Sequence, residues 1–122
     1  MTCQIEVQIC QEGPCASHLY FVHQKRFGYQ NTNLQIAGLS ILGSLKRELG
    51  TLDKVSAWLQ VRVMVNTVEG FTKTANVADD FSDLILTLYG HGIGMHARSS
   101  IGVQALPLNL PVIVDALVEI AA

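Results

Sequence analysis

Residues 96–121, HARSSIGVQALPLNLPVIVDALVEIA, decide the fold. Arg98, Ser100, Gly102 and Gln104 alternate with Ser99, Ile101, Val103 and Ala105, the period of two that marks a strand. Leu106-Pro107 and Leu110-Pro111 then bracket a turn. Beyond it Val112, Val114, Ala116, Val118 and Ile120 oppose Ile113, Asp115, Leu117 and Glu119, which makes a second strand. The stretch reads as a hairpin with one strong cation, Arg98, at its start.

The segment before it, His91-Gly92-Ile93-Gly94-Met95-His96, reads as a glycine-rich link. It lacks a Gly-Lys-Ser/Thr ending and leads into a strand, so it is not a phosphate loop. Upstream, Phe71, Ala75, Ala78, Phe81 or Ser82, Ile85 and Leu88 mark a helix that Gly90 is expected to end. Asp79, Asp80 and Asp83 fall off that stripe and read as a solvated face, not a metal cluster. Val55 to Asn66 is a long strand, with Val55, Ala57, Leu59, Val61, Val63 and Val65 on one face and Ser56, Trp58, Gln60, Arg62, Met64 and Asn66 on the other. Leu34, Ala37, Gly38, Ile41, Leu42, Leu45 and Leu49 make one stripe of a helix. Asn31 or Thr32 can cap it, and Gly50 stands where a left-handed residue ends it. Residues 25–33 read as a loop. His18–Gln24 and Cys3–Ile9 read as two further strands that pair as a hairpin.

The expected order is thus β-β-α-β-α-β-β, with hairpins at both ends and two helices over one face of a mixed sheet. That is a single α+β domain spanning residues 1–122. The faces left uncovered are mixed: Gln4, Glu6 and Gln8; Trp58, Gln60, Arg62 and Met64; Arg98, Ser100 and Gln104; Asp115 and Glu119 beside Ile113 and Leu117. A solvent face rarely collects so many large apolar groups, and a core rarely collects so many charges. An oligomer interface, or a cleft at one, accommodates both.

Composition narrows the function. Charged residues are 15% of the 122, against about a quarter in ordinary domains, which also favours a surface shared with other subunits. A net charge of −2 without a basic cluster argues against nucleic acid, and no apolar run is long enough to cross a membrane. The first residues lack the features of a secretory signal, so the expected location is cytoplasmic. Cys3, Cys10 and Cys15 have spacings that fit no common zinc pattern and read as free thiols; neither a metal nor a cofactor is expected.

Residues 96–121 resemble the C-terminal signature of the RidA/YjgF family, the reactive-intermediate deaminases also called the endoribonuclease L-PSP family. That signature runs Pro-Ala-Arg-Ser/Thr, an alternating strand, Leu-Pro, a short turn, then Val-Glu-Ile-Glu-Ala-Ile-Ala. LSILGSLKRELGTLDKVSAWLQVRVMV, residues 39–65, resembles the family's leucine-rich helix, Asp-x-Val turn and following strand, and Gly70-Phe71 resembles the start of its second helix. The resemblance covers residues 34–122. The N-terminal region is divergent and shorter, His96 replaces the common proline, and His23-Gln24 stands in place of a Ser-Gly-Gln-like segment.

The resemblance implies a chorismate-mutase-like fold, a homotrimer around a central barrel and ligand clefts between subunits. It implies a small carboxylate-bearing ligand and hydrolysis of enamines or imines to a keto acid and ammonia. Arg98 would grip the substrate carboxylate at two points, with Ala97, Ser99 and His23 around the same ligand. Asp115 matches the family glutamate and would position water or move a proton. Plainer readings stand beside these. Arg98 could pair with Asp115, Glu119 or Glu6; Asp115 with Arg62 or Arg98; and His23, His91 and His96 could be ordinary surface or core histidines. Ser99 and Ser100 lack the histidine and acid of a serine nucleophile in any familiar order. The functional alternative is a non-catalytic small-molecule-binding or interaction module of the same fold.

Overall fold

The computed structural model describes residues 2–8 and 32–121. Its elements are β1 (Thr2–Gln8), α1 (Thr32–Leu49), β2 (Val55–Asn66), α2 (Thr74–Gly94), β3 (Ala97–Val103) and β4 (Val112–Ile120). The expected strand at His18–Gln24, with His23, lies outside the described residues. The rest forms an α+β layer: two helices on one face of a four-stranded sheet of order β1-β4-β2-β3.

The helices form where the period of three to four was legible. Leu34, Ala37, Ile41, Leu42 and Leu45 of α1 are buried, as are Ala78, Phe81 and Ile85 of α2. Gly50 ends α1 with a φ of 81° and donates its N–H to the Lys46 carbonyl. The helices approach closely at Gly38, where a Cβ would meet Leu84 at 2.6 Å. Opposite them Val61, Val63, Val114, Ala116 and Val118 complete one apolar core.

Three expectations are corrected. First, β3 and β4 are not a hairpin. β2 lies between them, parallel to β3 and antiparallel to β4. Parallel neighbours need a crossover, and α2 supplies it between β2 and β3. The proline-bracketed segment therefore has to pass over the end of β2. Leu106 and Leu110 bury themselves there with Ile113, against Met64 and Val103. Asn66 pins the crossing, with Nδ2 donating to Asn109 Oδ1 and to the Leu110 carbonyl. Leu108 and Asn109 take positive φ angles of 56° and 54° to make the bend.

Second, Gly90 does not end the second helix. At φ 71° and ψ 176° it kinks the chain, which then resumes helical turns to Gly94. Only glycine adopts that backbone shape readily, so the residue that looked like a stop acts as a joint.

Third, Trp58 is a core residue, only 1% exposed. The β2–β4 register shifts between Val55 and Ala57 and again between Trp58 and Gln60. Such a bulge resets the alternation, so Trp58 turns inward while Leu59 is left 36% exposed. Trp58 packs on α2, with its ring centroid 6.1 Å from Phe81 and 5.8 Å from Tyr89. Its indole nitrogen has no hydrogen-bond partner among the described residues.

Candidate functional site

β3 positions Arg98, and its register decides where the guanidinium goes. Arg98 is opposite Val61 and Ser100 opposite Val63, both core residues. Ser99 is opposite Arg62, which points away from the helices. Arg98 and Ser100 therefore share the helix-covered face, and Ser99 and Ile101 share the uncovered one. The expected face joining Arg98 to Arg62 and Asp115 is corrected accordingly.

Under α2, Arg98 meets a set of polar groups. Nη1 donates to Ser82 Oγ at 3.0 Å and Nη2 to Asp79 Oδ1 at 2.9 Å, with a longer bond from Nη2 to the Ala75 carbonyl at 3.5 Å. Ser82 also lies 3.0 Å from His96 Nε2, and His96 Nδ1 is 2.6 Å from the Gly94 carbonyl. A carbonyl can only accept, so Nδ1 carries the hydrogen. In the neutral ring Nε2 then accepts from the Ser82 hydroxyl, whose oxygen accepts from Arg98. The chain Arg98–Ser82–His96–Gly94 is thus fully directed, and the extra turn of α2 after the Gly90 kink is what brings Gly94 and His96 into it.

Two residues up the strand, Ser100 Oγ donates to the Thr74 carbonyl and Thr74 Oγ1 to the Ser100 carbonyl, at 2.7 and 3.1 Å. This reciprocal pair stitches the start of α2 to β3. It forms one wall of an open cleft of about 770 Å³ that Thr67, Glu69, Phe71 and Gln104 also line. Gly102 lies in the same wall, where a Cβ would come within 2.8 Å of Thr67 Oγ1. Thr74 and Ser100 of this wall belong to α2 and β3, the two elements that also hold the Arg98 cluster.

Asp115 belongs to the other face. Arg62 donates to its Oδ2 from Nε at 2.9 Å and from Nη2 at 2.8 Å. Both bonds reach one oxygen. A small hollow of about 130 Å³ surrounds the pair, lined by Gln60 and Leu117. Ala97 and Ser99 are exposed on β3. Of the residues expected at the site, the fold thus holds Arg98 under α2 against Ser82 and Asp79, and Asp115 on the reverse side, paired with Arg62.

Asp79, Ser82 and His96 are the neighbours of Arg98 that periodicity missed. Asp79 and Ser82 are three apart and so share a helix face. That much is legible, but only the β2–β3 register shows that Arg98 faces them. Asp80 sits beside this cluster. Burial, helped by the charges of Asp83 and Asp79, holds its carboxyl above the ordinary 3.8. Tyr89 is raised above 10.0 by burial and by nearby Asp53. Among the described residues no three His, Cys, Asp or Glu side chains converge as metal ligands, and no helix is long and apolar enough to cross a membrane.

No protein-family model matches the chain. It is 42% identical over 82 residues to protein TCP17 of Trypanosoma cruzi, covering 67% of this chain and 51% of that one. The chain thus spans about half the length of that curated relative. Its fold is similar to that of the crystallised Agrobacterium tumefaciens protein Atu1372, a protein of unknown function, with a TM-score of 0.71 and 32% identity over 75% of this chain and 59% of that one. A Shewanella oneidensis protein provisionally named an endoribonuclease gives 0.68 at 23% identity, over 75% and 63%. Yeast Mmf1 gives 0.53 at 18% identity, over 82% and 70%; at such identities the likeness speaks for fold alone. The chain shares its fold with these proteins, and its motifs resemble those of the RidA/YjgF family.

Proposed function

We propose that the protein binds a small carboxylate-bearing ligand at clefts between the subunits of a homotrimer and hydrolyses enamine or imine intermediates there. The observation that carries this reading is the guanidinium of Arg98, aimed by Ser82 beneath α2, on the strand whose Ser100 and Gly102 line an open cleft. A planar fork with two parallel donors suits a carboxylate better than an ammonium does. In the reaction water adds to the C=N carbon, a proton passes to nitrogen, the C–N bond breaks, and keto acid and ammonia leave. An enamine first takes a proton on carbon to become the imine.

The division of the faces supports the subunit interface. Arg98 is under α2 and Asp115 on the uncovered side, so Asp115 reaches a ligand held by Arg98 only from another copy. Exposed Ile101 and partly buried Leu117 and Met64 give the uncovered face apolar area for that contact. Ala97 and Ser99, exposed on the uncovered face of β3, would border the ligand, like Asp115, from another copy. The expected role of His23 stays with this proposal.

The test is ammonia release from an amino-acid-derived imine such as 2-aminoacrylate, generated in situ. The intact protein accelerates it and Arg98→Ala does not; equal rates in the two would end the assignment. The second reading, binding without turnover, draws support from the lock of Arg62 on Asp115 Oδ2. It predicts saturable keto-acid binding and background ammonia release.

A further inference from the structure

Arg98 has two kinds of partner. Ser82 is half-buried and is itself fixed, because its hydroxyl is committed to His96 and His96 to the Gly94 carbonyl. Asp79 is different. Its side chain is 53% exposed on α2, while that of Arg98 is 23% exposed. It reaches Arg98 through one oxygen, Oδ1, at 2.9 Å from Nη2, a donor that an incoming carboxylate would also need. The Ala75 carbonyl, at 3.5 Å from the same nitrogen, adds little.

We propose that Asp79 is a built-in competitor for the ligand: its carboxylate occupies Arg98 in the empty site, and the ligand's carboxylate displaces it. This rests on the reading of Arg98 as the ligand's anchor. The exchange trades one carboxylate for another, so Arg98 is never left without an anion. Asp79 swings into water at small cost because it is already half in water. Ser82 and His96 stay in place, so the guanidinium keeps its aim during the exchange. The consequence is selectivity. A ligand with a carboxylate recovers what Asp79 gives up, whereas a neutral ligand of the same skeleton leaves Asp79 where it is. Asp79 acts through Arg98 and is a positioning residue, not a catalytic one.

The probes are 2-oxobutyrate and its neutral amide, titrated by calorimetry into the full chain and four variants. Asp79→Asn is expected to bind 2-oxobutyrate roughly two- to five-fold more tightly, the span of an exposed ion pair, with its affinity for the amide unchanged. Asp79→Glu, which can still reach Arg98, is expected to return toward the original affinity. Asp83→Asn removes an equal charge from the same helix without touching Arg98 and is expected to change nothing. If Asp79→Asn binds no more tightly, or if Asp83→Asn gains as much, the competitor is disproved, even though Arg98→Ala abolishes binding. If Arg98→Ala binds 2-oxobutyrate as well as the original protein, the anchor itself is disproved and the competitor falls with it.

Discussion

Arg98 and Asp115 lie on opposite faces of one sheet. β2 separates their strands and shows the split, since Val61 is opposite Arg98 and Arg62 is opposite Asp115. A single extended strand alternates its side chains, so neighbours on β2 must serve opposite faces. The polar residues of this chain are therefore divided between two sites. One is under α2 around Arg98; the other is on the uncovered face around Asp115.

The Arg62–Asp115 pair bridges β2 and β4 near the surface, with Arg62 half-exposed. Exposed pairs contribute about 0.2–1 kcal/mol. A double-mutant cycle on Arg62→Ala and Asp115→Asn, read by urea unfolding, should return a coupling in that range. A coupling of about 3 kcal/mol or more would mean that this face is covered in solution and the pair desolvated.

Asp80 makes stability depend on pH. The native carboxyl holds its proton to higher pH than the unfolded chain does, because burial and the charges of Asp83 and Asp79 oppose ionisation. Between the unfolded value near 3.8 and the raised native value, the native state binds more protons. Stability from this group is thus present at low pH and lost as pH rises through that window. Asn mimics the protonated form. Asp80→Asn should raise the Tm at pH 7 and leave it nearly unchanged at pH 3, as followed by circular dichroism. A Tm gain that is the same at both pH values would refute this account.

Gly90 and Gly92 are two residues apart and should respond in opposite ways to alanine. An added Cβ meets nothing within 4 Å at either position. Only Gly90 has a left-handed φ, 71°. Gly90→Ala should cost about 1–3 kcal/mol through backbone strain. Gly92→Ala, within helical turns, should be neutral or stabilising by up to about 1 kcal/mol. Thermal melts of the two variants decide the point, and equal losses would show that crowding, not strain, governs this joint.

Much of this could be read from residue spacing, and the failures have definite causes. The stripe Leu34–Leu45 predicted the buried face of α1 because helical burial follows a fixed period. The long strand Val55–Asn66 was legible for the same reason, yet Trp58 was placed on the wrong face. A bulge consumes a residue without leaving a composition signal, and every residue in its span can change sides. The β3–β4 hairpin failed because alternation identifies strands but not partners. Leu-Pro punctuation marks a tight hairpin and a crossing over β2 equally well. Arg98 stood out as a lone cation before a strand. Its partners did not, because Asp79, Ser82 and His96 come together only through the parallel register and the kink at Gly90.

The placement of Arg98 and Asp115 allows a test of the proposed assembly that needs no structure of it. If each cleft takes Arg98 from one subunit and Asp115 from its neighbour, Arg98→Ala and Asp115→Asn disable every site in their own trimers. In trimers formed from both variants, some interfaces receive Arg98 from an Asp115→Asn subunit and Asp115 from an Arg98→Ala subunit. In a cyclic trimer that holds both variants, about a third of the interfaces are intact, one of its three. Co-expressed, differently tagged chains purified through both tags should therefore recover a substantial share of the ammonia-releasing activity that each variant alone lacks. Sites built within one chain would give no recovery, because every chain in the mixture carries a lesion. The same sample checks the assembly itself: double-tagged material exists only if the chains associate, and sedimentation equilibrium should return three times the mass of one chain.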